Sequence, residues 1–349
     1  MKALSAVILL LEKYPSSSLR SDVTLSVGET YRAIGEFEKA ALYYAKFGDE
    51  FKNDKRAAES LHLAGILYKG LSKLDDAYKA FSLLIKGQSG SSFAKEALLF
   101  MAEIAESKGN NKEAIEYYKK FAKVFAPNNT DRALLALAKS YVLLGRTEGL
   151  NAEINALNSF KAMLRSNKNL VAMEARAIVA KELFNIYEKR VKKFNEFSIN
   201  NLNTISKQVE EKNRLLIQLA TKFQGIISLN NDEFTVASLI KIGEMHEKLA
   251  DDLFQAPSPI KATQKELDAF KSKIERAAFP LRDDAYKYYR QAYDYARKGD
   301  SFSNWTQLAY NKMVLLEPKK YPPIKTKIIK PAYLKHKIYV TEATANLVE

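Results

Sequence analysis

The sequence lacks cysteine altogether and is poor in glycine, proline and histidine, with 13, 9 and 3 of them among 349 residues. Without cysteine, a disulfide scaffold and a cysteine-ligated metal site are both excluded. Scarce glycine and proline favour helix over sheet, and the abundant Leu, Ala, Glu and Lys are good helix formers. His62, His246 and His336 are isolated, without a second ligand at metal-binding spacing. We therefore expect no metal ion, no cofactor and no catalytic residue.

Long hydrophobic runs are also missing. No apolar run reaches ~18 residues, so no transmembrane segment is expected. The N-terminus opens like a signal peptide, with Lys2 before a short apolar stretch, but Glu12 and Lys13 follow at once and no Ala-x-Ala cleavage site appears. The sequence has neither a glycine-rich phosphate loop followed by Lys-Ser/Thr nor a G-x-S-x-G motif, so an enzyme is not expected.

A pattern of small and aromatic residues recurs with a period of 37 residues. Apolar residues around it keep helical spacing, and turn residues such as Gly35 break that spacing, so each copy is predicted to be a helical hairpin. The small residues let two helices approach closely, and the aromatic side chains fill the space around them. A repeat with one fixed period is the mark of a solenoid. The copies are Gly28, Tyr31, Ala40 and Tyr44; Gly65, Tyr68, Ala77 and Phe81; and Ala102, Ala105, Ala114 and Tyr118.

This order of small residue, aromatic residue, turn glycine, alanine and second aromatic residue resembles the tetratricopeptide repeat (TPR). TPR units have ~34 residues, so each copy here is three residues longer. The resemblance implies an all-α fold, a right-handed solenoid of TPR and TPR-like hairpins. It also implies a non-catalytic scaffold that binds protein partners on a concave face lined by the first helix of each hairpin.

The repeat register divides the chain into four segments. Residues 1–165 are predicted to hold TPR repeats, of which the first is truncated and the fourth is degenerate. Residues 166–230 are predicted to form a long helical hairpin, and residues 231–318 to return to TPR-like helical repeats. Residues 319–349 are basic and lack helical periodicity. They are predicted to form an extended tail, or a strand of an excised neighbouring domain.

The same register, extended backwards, places Ala3 and Val7 at the positions of Ala40 and Tyr44. Residues 3–14 are therefore predicted to be the second helix of a repeat whose first helix is missing. On this interpretation the sequence is a piece of a longer protein.

Helix boundaries in the later half follow from breakers. Two long helices are predicted over 170–197 and 201–229, forming a hairpin packed on the solenoid rather than a coiled coil. Phe279-Pro280-Leu281 is predicted to interrupt a later helix. Asp283 and Asp284 would then lie at a helix start, where carboxylates complement the helix dipole.

The concave face is the expected binding surface. Its polar residues carry both signs of charge, unlike an all-basic clamp that captures a terminal carboxylate. A partner peptide or helix held by mixed polar and apolar contacts fits better. The candidate partner-binding residues are Asp22, Glu29, Arg32, Glu59, His62, Lys69, Glu96, Glu103 and Glu106.

The net charge of +14 comes from 55 Lys and Arg against 41 Asp and Glu. Basic residues concentrate at 189–193 and in the tail, which supports an alternative function: a basic adaptor for nucleic acid or anionic lipid. Nucleic-acid binding requires aromatic residues interleaved with basic ones on one face. Tyr321, Tyr333 and Tyr339 among the tail lysines fit this only loosely, so nucleic acid is disfavoured, whereas peripheral membrane contact is compatible with the lysines. The candidate anion-binding residues are Lys189, Arg190, Lys192, Lys193, Lys319, Lys320, Lys325 and Lys327.

A second resemblance covers about residues 205–323. This segment is similar to the C-terminal part of TPR proteins from deltaproteobacteria. That group of proteins includes components of the adventurous gliding machinery. The resemblance implies a periplasmic or cell-envelope scaffold within a multiprotein assembly, with a cytoplasmic location as the alternative. The motifs that carry it are Ile242-Gly243-Glu244-Met245-His246, Ala256-Pro257-Ser258-Pro259, Ala278-Phe279-Pro280-Leu281, Asn304-Trp305 and Pro318-Lys319-Lys320-Tyr321-Pro322-Pro323.

Overall fold

The computed structural model describes residues 2–125, 130–166, 172–259, 262–299 and 303–322. Within these ranges the chain consists of α-helices joined by short connections, and no β-strand occurs. The predicted all-α solenoid is therefore confirmed. Met1, Lys325 and Lys327 lie outside the described residues, as does the tail after Pro322 that was predicted to be extended.

Fourteen α-helices follow one another along the described chain. The first nine are α1 Lys2–Lys13, α2 Arg20–Ala33, α3 Phe37–Glu50, α4 Ala57–Gly70, α5 Leu74–Gly87, α6 Ser92–Ser107, α7 Asn111–Phe125, α8 Thr130–Thr147 and α9 Leu150–Ser166. The remaining five are α10 Met173–Glu196, α11 Ile205–Ile227, α12 Asp232–Phe254, α13 Gln264–Lys298 and α14 Asn304–Leu316, with a 3-10 turn at Leu202–Thr204 before α11. Each helix up to α9 packs against the next one in sequence.

The predicted contact between small and aromatic residues holds the early hairpins together. A Cβ atom added to Gly28 of α2 would lie 3.3 Å from the ring of Tyr44 in α3. One added to Gly65 of α4 would lie 2.4 Å from the ring of Phe81 in α5. Both rings are buried, so these glycines set how closely the two helices of a hairpin approach.

The hairpin of α12 and α13 uses the same contact over a longer connection. A Cβ atom added to Gly243 would lie 2.7 Å from the Tyr289 ring, and Ala285 is buried one turn before Tyr289, as Ala40 is before Tyr44. The small and aromatic residues are 46 positions apart here and 16 apart in the first hairpin, a difference of 30. The extra residues lengthen both helices beyond the contact.

The predicted interruption at Phe279-Pro280-Leu281 is wrong, because α13 runs through Pro280 without a break. Proline inside a helix removes one hydrogen bond and costs about 3 kcal/mol. Here α13 packs against α12 on both sides of the proline, with Ala278 and Ala285 both buried, and this packing outweighs the loss. Asp284 is consequently in mid-helix, where it pairs with Lys287 at 2.7 Å, and not at a helix start.

The later helices share one large core. Buried side chains from Leu134 of α8 to Ala278 of α13 form a single cluster, and α10 packs against α8, α9, α11 and α12. This packing crosses residues 165 and 230, where two of the predicted segment boundaries lie. The division into segments stays a prediction, as does the inference of a longer parent protein.

We predict that Gly65→Ala destabilises the protein, because Phe81 is fully buried and cannot move away from the added methyl group. Overpacking of this kind costs roughly 1–3 kcal/mol. Gly70→Ala in the same helix is the control, since nothing lies within 4 Å of its added Cβ, and it should be neutral or stabilising by up to about 1 kcal/mol. Thermal unfolding followed by circular dichroism measures the melting temperatures of the two variants. Equal melting temperatures would contradict the prediction.

Candidate binding surfaces

The candidate partner-binding residues lie on the first helices of successive hairpins, α2, α4 and α6. Ion pairs link each of these helices to the next, one repeat further along the chain. Exposed pairs of this kind contribute about 0–1 kcal/mol each, so they align the helices but can open to a ligand. The pairs are Asp22 with Arg56 at 2.8 Å, Lys69 with Glu103 at 2.8 Å, and Glu96 with Arg132 at 2.6 Å.

Two further candidates are engaged inside the protein. Glu106 accepts a hydrogen bond from the buried Tyr118 hydroxyl at 2.7 Å; burial, followed by this bond, raises the pKa of Tyr118. The His62 ring packs against Phe93 and Phe100, with centroids 5.1 and 5.9 Å away. Burial lowers the pKa of His62 despite the opposing effect of Glu96 and Glu59. His62 is therefore a packing residue that favours the neutral form.

Glu29, Arg32 and Glu59 are the candidates whose side chains are exposed, and within the described ranges no ion pair joins them to a neighbouring helix. All three are close enough to the hydroxyl of Tyr44 to act on it electrostatically. They therefore lie near one another. The array thus brings together a small patch of mixed charge on α2 and α4, and it uses the other six candidates for contacts within the protein.

The predicted basic cluster at 189–193 is divided between two faces of α10. Arg190 and Lys193 line a groove of about 660 Å³ between α10 and α11, and Lys222 of α11 completes its set of cations. No carboxylate is among the side chains lining this groove in the described part of the chain. Lys189 instead lies near the buried Glu153 of α9. Burial raises the pKa of Glu153, and the charge of Lys189 opposes this with a smaller effect.

The other anion-binding candidates lie elsewhere. Lys192 is exposed on α10. Lys319 and Lys320 follow α14, where Lys320 pairs with Glu317 at 3.5 Å. The groove between α10 and α11 has an apolar floor of Phe194, Leu215 and Leu219. Its cations consequently surround an apolar surface, an arrangement suited to an amphiphilic anion.

A second groove, of about 620 Å³, lies between α11, α12 and α13 and was not predicted. It is formed where the extended hairpin of α12 and α13 meets the start of α11. Finding it requires the pairing of Gly243 with Tyr289, and their unusual spacing hides that pairing in the sequence. Most of its lining is apolar, including Ile205, Val209, Leu249, Leu253, Phe270, Ile274 and Leu281.

Beside this groove, the fully buried Lys212 forms an ion pair with Asp252. Its ammonium also donates to the Phe197 carbonyl at 2.5 Å, and Asp252 accepts from Lys248 as well. Burial lowers the pKa of Lys212, with Asp252 opposing this. The pair joins α11 to α12 and to the connection after α10. A sequence signal exists, because Lys212 interrupts an apolar stripe that runs through Val209 and Leu216.

Comparison with known proteins agrees with this architecture at its third hairpin. Residues 97–127, which span most of α6 and all of α7, match the family model of the tetratricopeptide repeat. This segment is therefore similar to a TPR, a unit that generally mediates protein–protein interactions. No curated protein matches the chain. The predicted relation to deltaproteobacterial proteins stays a prediction.

Among solved structures, a tetratricopeptide repeat protein from Parabacteroides merdae ATCC 43184 is similar, with a TM-score of 0.35 and 14% sequence identity. The similarity covers 83% of this chain and 98% of that chain. No helix in the described ranges has the length and hydropathy to cross a bilayer. Nor do three His, Asp or Glu side chains of those ranges gather as metal ligands would.

We predict that Asp252→Asn is strongly destabilising, because it leaves the ammonium of Lys212 buried without its carboxylate. Breaking a buried pair from one side costs about 3–5 kcal/mol. The double variant Lys212→Met and Asp252→Leu should recover most of the loss, since no charge is then left unpaired.

Asp251→Asn is the matched control, because the Asp251 side chain is 43% exposed and pairs with Arg282 at the surface. It should change the free energy of unfolding by less than about 1 kcal/mol. Urea unfolding of the four proteins measures these differences. A double variant no more stable than Asp252→Asn would contradict the interpretation.

Proposed function

We propose that this protein is a non-catalytic scaffold that binds a protein partner, as a peptide or helix, along the first helices α2, α4 and α6. The supporting observation is the patch of Glu29, Arg32 and Glu59, which stays exposed on helices that ion pairs hold in register. A rigid surface lowers the entropy lost on binding, so a modest set of contacts gives useful affinity. The mixed charges select a partner with charges of both signs.

The scaffold belongs, in this proposal, to a multiprotein assembly of the cell envelope, in or facing the periplasm. Support comes from the motifs over about residues 205–323 and their resemblance to deltaproteobacterial TPR proteins. A cytoplasmic location is the alternative. The partner identified below decides between them, because a soluble cytoplasmic partner would contradict an envelope location.

We predict that a photo-crosslinking residue at Glu59 captures one protein partner in source cells, whereas the same residue at Lys79 does not. Glu59 is on α4, and Lys79 is on α5 of the same hairpin with its side chain 75% exposed. The two variants therefore differ in the helix that they probe. Mass spectrometry of the crosslinked bands gives the partner.

Equal capture from both positions would overturn the assignment of the binding face. Capture at Lys79 alone would overturn it as well, and would point to the second helices.

As a second candidate function, we propose contact with an anionic lipid surface through the groove between α10 and α11. The favouring observation is the combination of three cations, Arg190, Lys193 and Lys222, with an apolar floor. Cations next to a lipid surface contribute about 1 kcal/mol each. Nucleic acid is less suitable, because the floor aromatic Phe194 is buried and offers no face on which a base could stack.

We predict that Arg190→Glu with Lys193→Glu weakens binding to phosphatidylglycerol vesicles by about tenfold or more. Lys79→Glu with Lys119→Glu makes the same change in net charge on the second helices α5 and α7, and should retain binding. Co-sedimentation with the vesicles, repeated at rising salt, measures the effect, since salt screens such contacts. Equal loss in both double variants would indicate a net-charge effect and reject the groove.

A further inference from the structure

A tyrosine of the second helix lies over a small residue of the first helix in three hairpins. Gly28 contacts Tyr44 and Gly243 contacts Tyr289, and Ala102 belongs to the same buried cluster as Tyr118. In each hairpin the residue one turn after the small residue lies beside the tyrosine hydroxyl. That residue is Arg32 in the first hairpin, Glu106 in the third, and Glu247 in the hairpin of α12 and α13.

Where that residue is glutamate, the hydroxyl is satisfied inside the protein. Tyr118 donates to Glu106 at 2.7 Å, and Tyr289 donates to Glu247 at 2.7 Å. Both tyrosines are fully buried, so the carboxylate removes the cost of burying a hydroxyl without a partner. In the second hairpin the aromatic residue is Phe81, which needs no acceptor.

The first hairpin departs from this rule. Tyr44 is 1% exposed, and its hydroxyl has no hydrogen-bond partner among the described residues. Arg32 occupies the glutamate position, and a guanidinium donates hydrogen bonds but accepts none. Even with Arg32 close to it, the hydroxyl proton of Tyr44 therefore lacks an acceptor.

The charged side chains around this hydroxyl are exposed and long. Burial raises the pKa of Tyr44, Arg32 opposes this, and Glu29 and Glu59 raise it further. Arg32 lies within reach of the hydroxyl as a donor, but none of the three side chains accepts a hydrogen bond from it. Glu29, Arg32 and Glu59 all reach solvent, so the charged groups that act on the hydroxyl lie at the surface where a partner would bind.

We propose that this position binds an aspartate or glutamate side chain of the partner, which accepts hydrogen bonds from the Tyr44 hydroxyl and the Arg32 guanidinium. The partner thus supplies between molecules the carboxylate that Glu106 and Glu247 supply within the chain. Hydrogen bonds between an ionised donor and a carboxylate are among the stronger ones in proteins. This inference rests on the proposed function, since it names the chemistry of the partner at the same face.

Glu29 and Glu59 add a second requirement. They repel a uniformly acidic segment and attract basic residues beside the bound carboxylate. The occupant is therefore an acidic residue flanked by lysine or arginine, within a peptide of mixed charge. The occupant is not the C-terminus of a partner chain. A terminal residue that carries two carboxylates would need two cations, and the patch of Glu29, Arg32 and Glu59 has one.

The test is selection of a random linear peptide library, displayed on phage, against the whole protein. We expect enriched peptides to share an Asp or Glu at one position with basic neighbours. Tyr44→Phe should weaken the affinity of a selected peptide about tenfold, because it removes one hydrogen bond to a charged group. Tyr118→Phe is the matched control and should leave the affinity unchanged, since its hydroxyl is already bound by Glu106.

Arg32→Gln provides an independent measurement. It should weaken binding by about tenfold or more, because the charged donor is lost, and should also raise the thermal unfolding temperature, because the amide oxygen accepts from Tyr44 without placing a third carboxylate beside Glu29 and Glu59. Weaker binding without a rise in stability would overturn the inference, as would unchanged affinity in Tyr44→Phe. Selected peptides that bind this face without a carboxylate overturn it too, but leave the proposed function intact. Failure to select any peptide overturns both.

Discussion

The contact between a small residue of one helix and an aromatic ring of the next sets the geometry of the hairpins that have it. Gly65 has room for no side chain, because the Phe81 ring fills the space where a Cβ atom would go. Close approach of the backbones buries the ring completely, and each buried ring contributes roughly 1.5–3 kcal/mol. In each hairpin that keeps this contact, the small residue lets the two helices approach closely. The hairpins then stack, and the first helices form one surface.

The same contact explains how the helices of the hairpin of α12 and α13 can be longer than those of the early hairpins and still pack against each other in the same way. Gly243 and Tyr289 anchor it, so additional turns extend beyond the anchor and need partners of their own. α11 supplies these partners through apolar side chains that line the groove and through Lys212, whose charge Asp252 neutralises. Packing along this extension is also what allows a helix to pass through Pro280. Long helices here follow from one anchored contact together with a third helix that covers the excess.

The period of 37 residues is enough to predict the early hairpins, because spacing and residue size determine the close contact locally. The ion pairs between first helices are harder to predict, since many residues of opposite charge lie about one repeat apart and the packing of the helices selects among them. Lys69 with Glu103 is 34 positions apart, and Glu96 with Arg132 is 36. The predicted break at Pro280 was wrong because it considered only the local cost of a proline within a helix. The burial of α13 on both sides of Pro280 is a tertiary effect that local sequence does not show. Lys212 was visible as a charge within an apolar stripe, but its partner depends on how α11 and α12 meet.

A residue one turn after the small position has a double role in this architecture. When it is glutamate, as at Glu106, the hydroxyl of the buried tyrosine already has its acceptor and is not available to a ligand. When it is arginine, as at Arg32, the same tyrosine retains a hydrogen-bond donor that the fold does not use. Leaving a buried donor unpaired costs roughly 1–3 kcal/mol, a cost that the rest of the array must offset and that a bound acceptor would recover. A single side chain on the first helix can thus convert a stabilising contact of the repeat into a contact available for recognition.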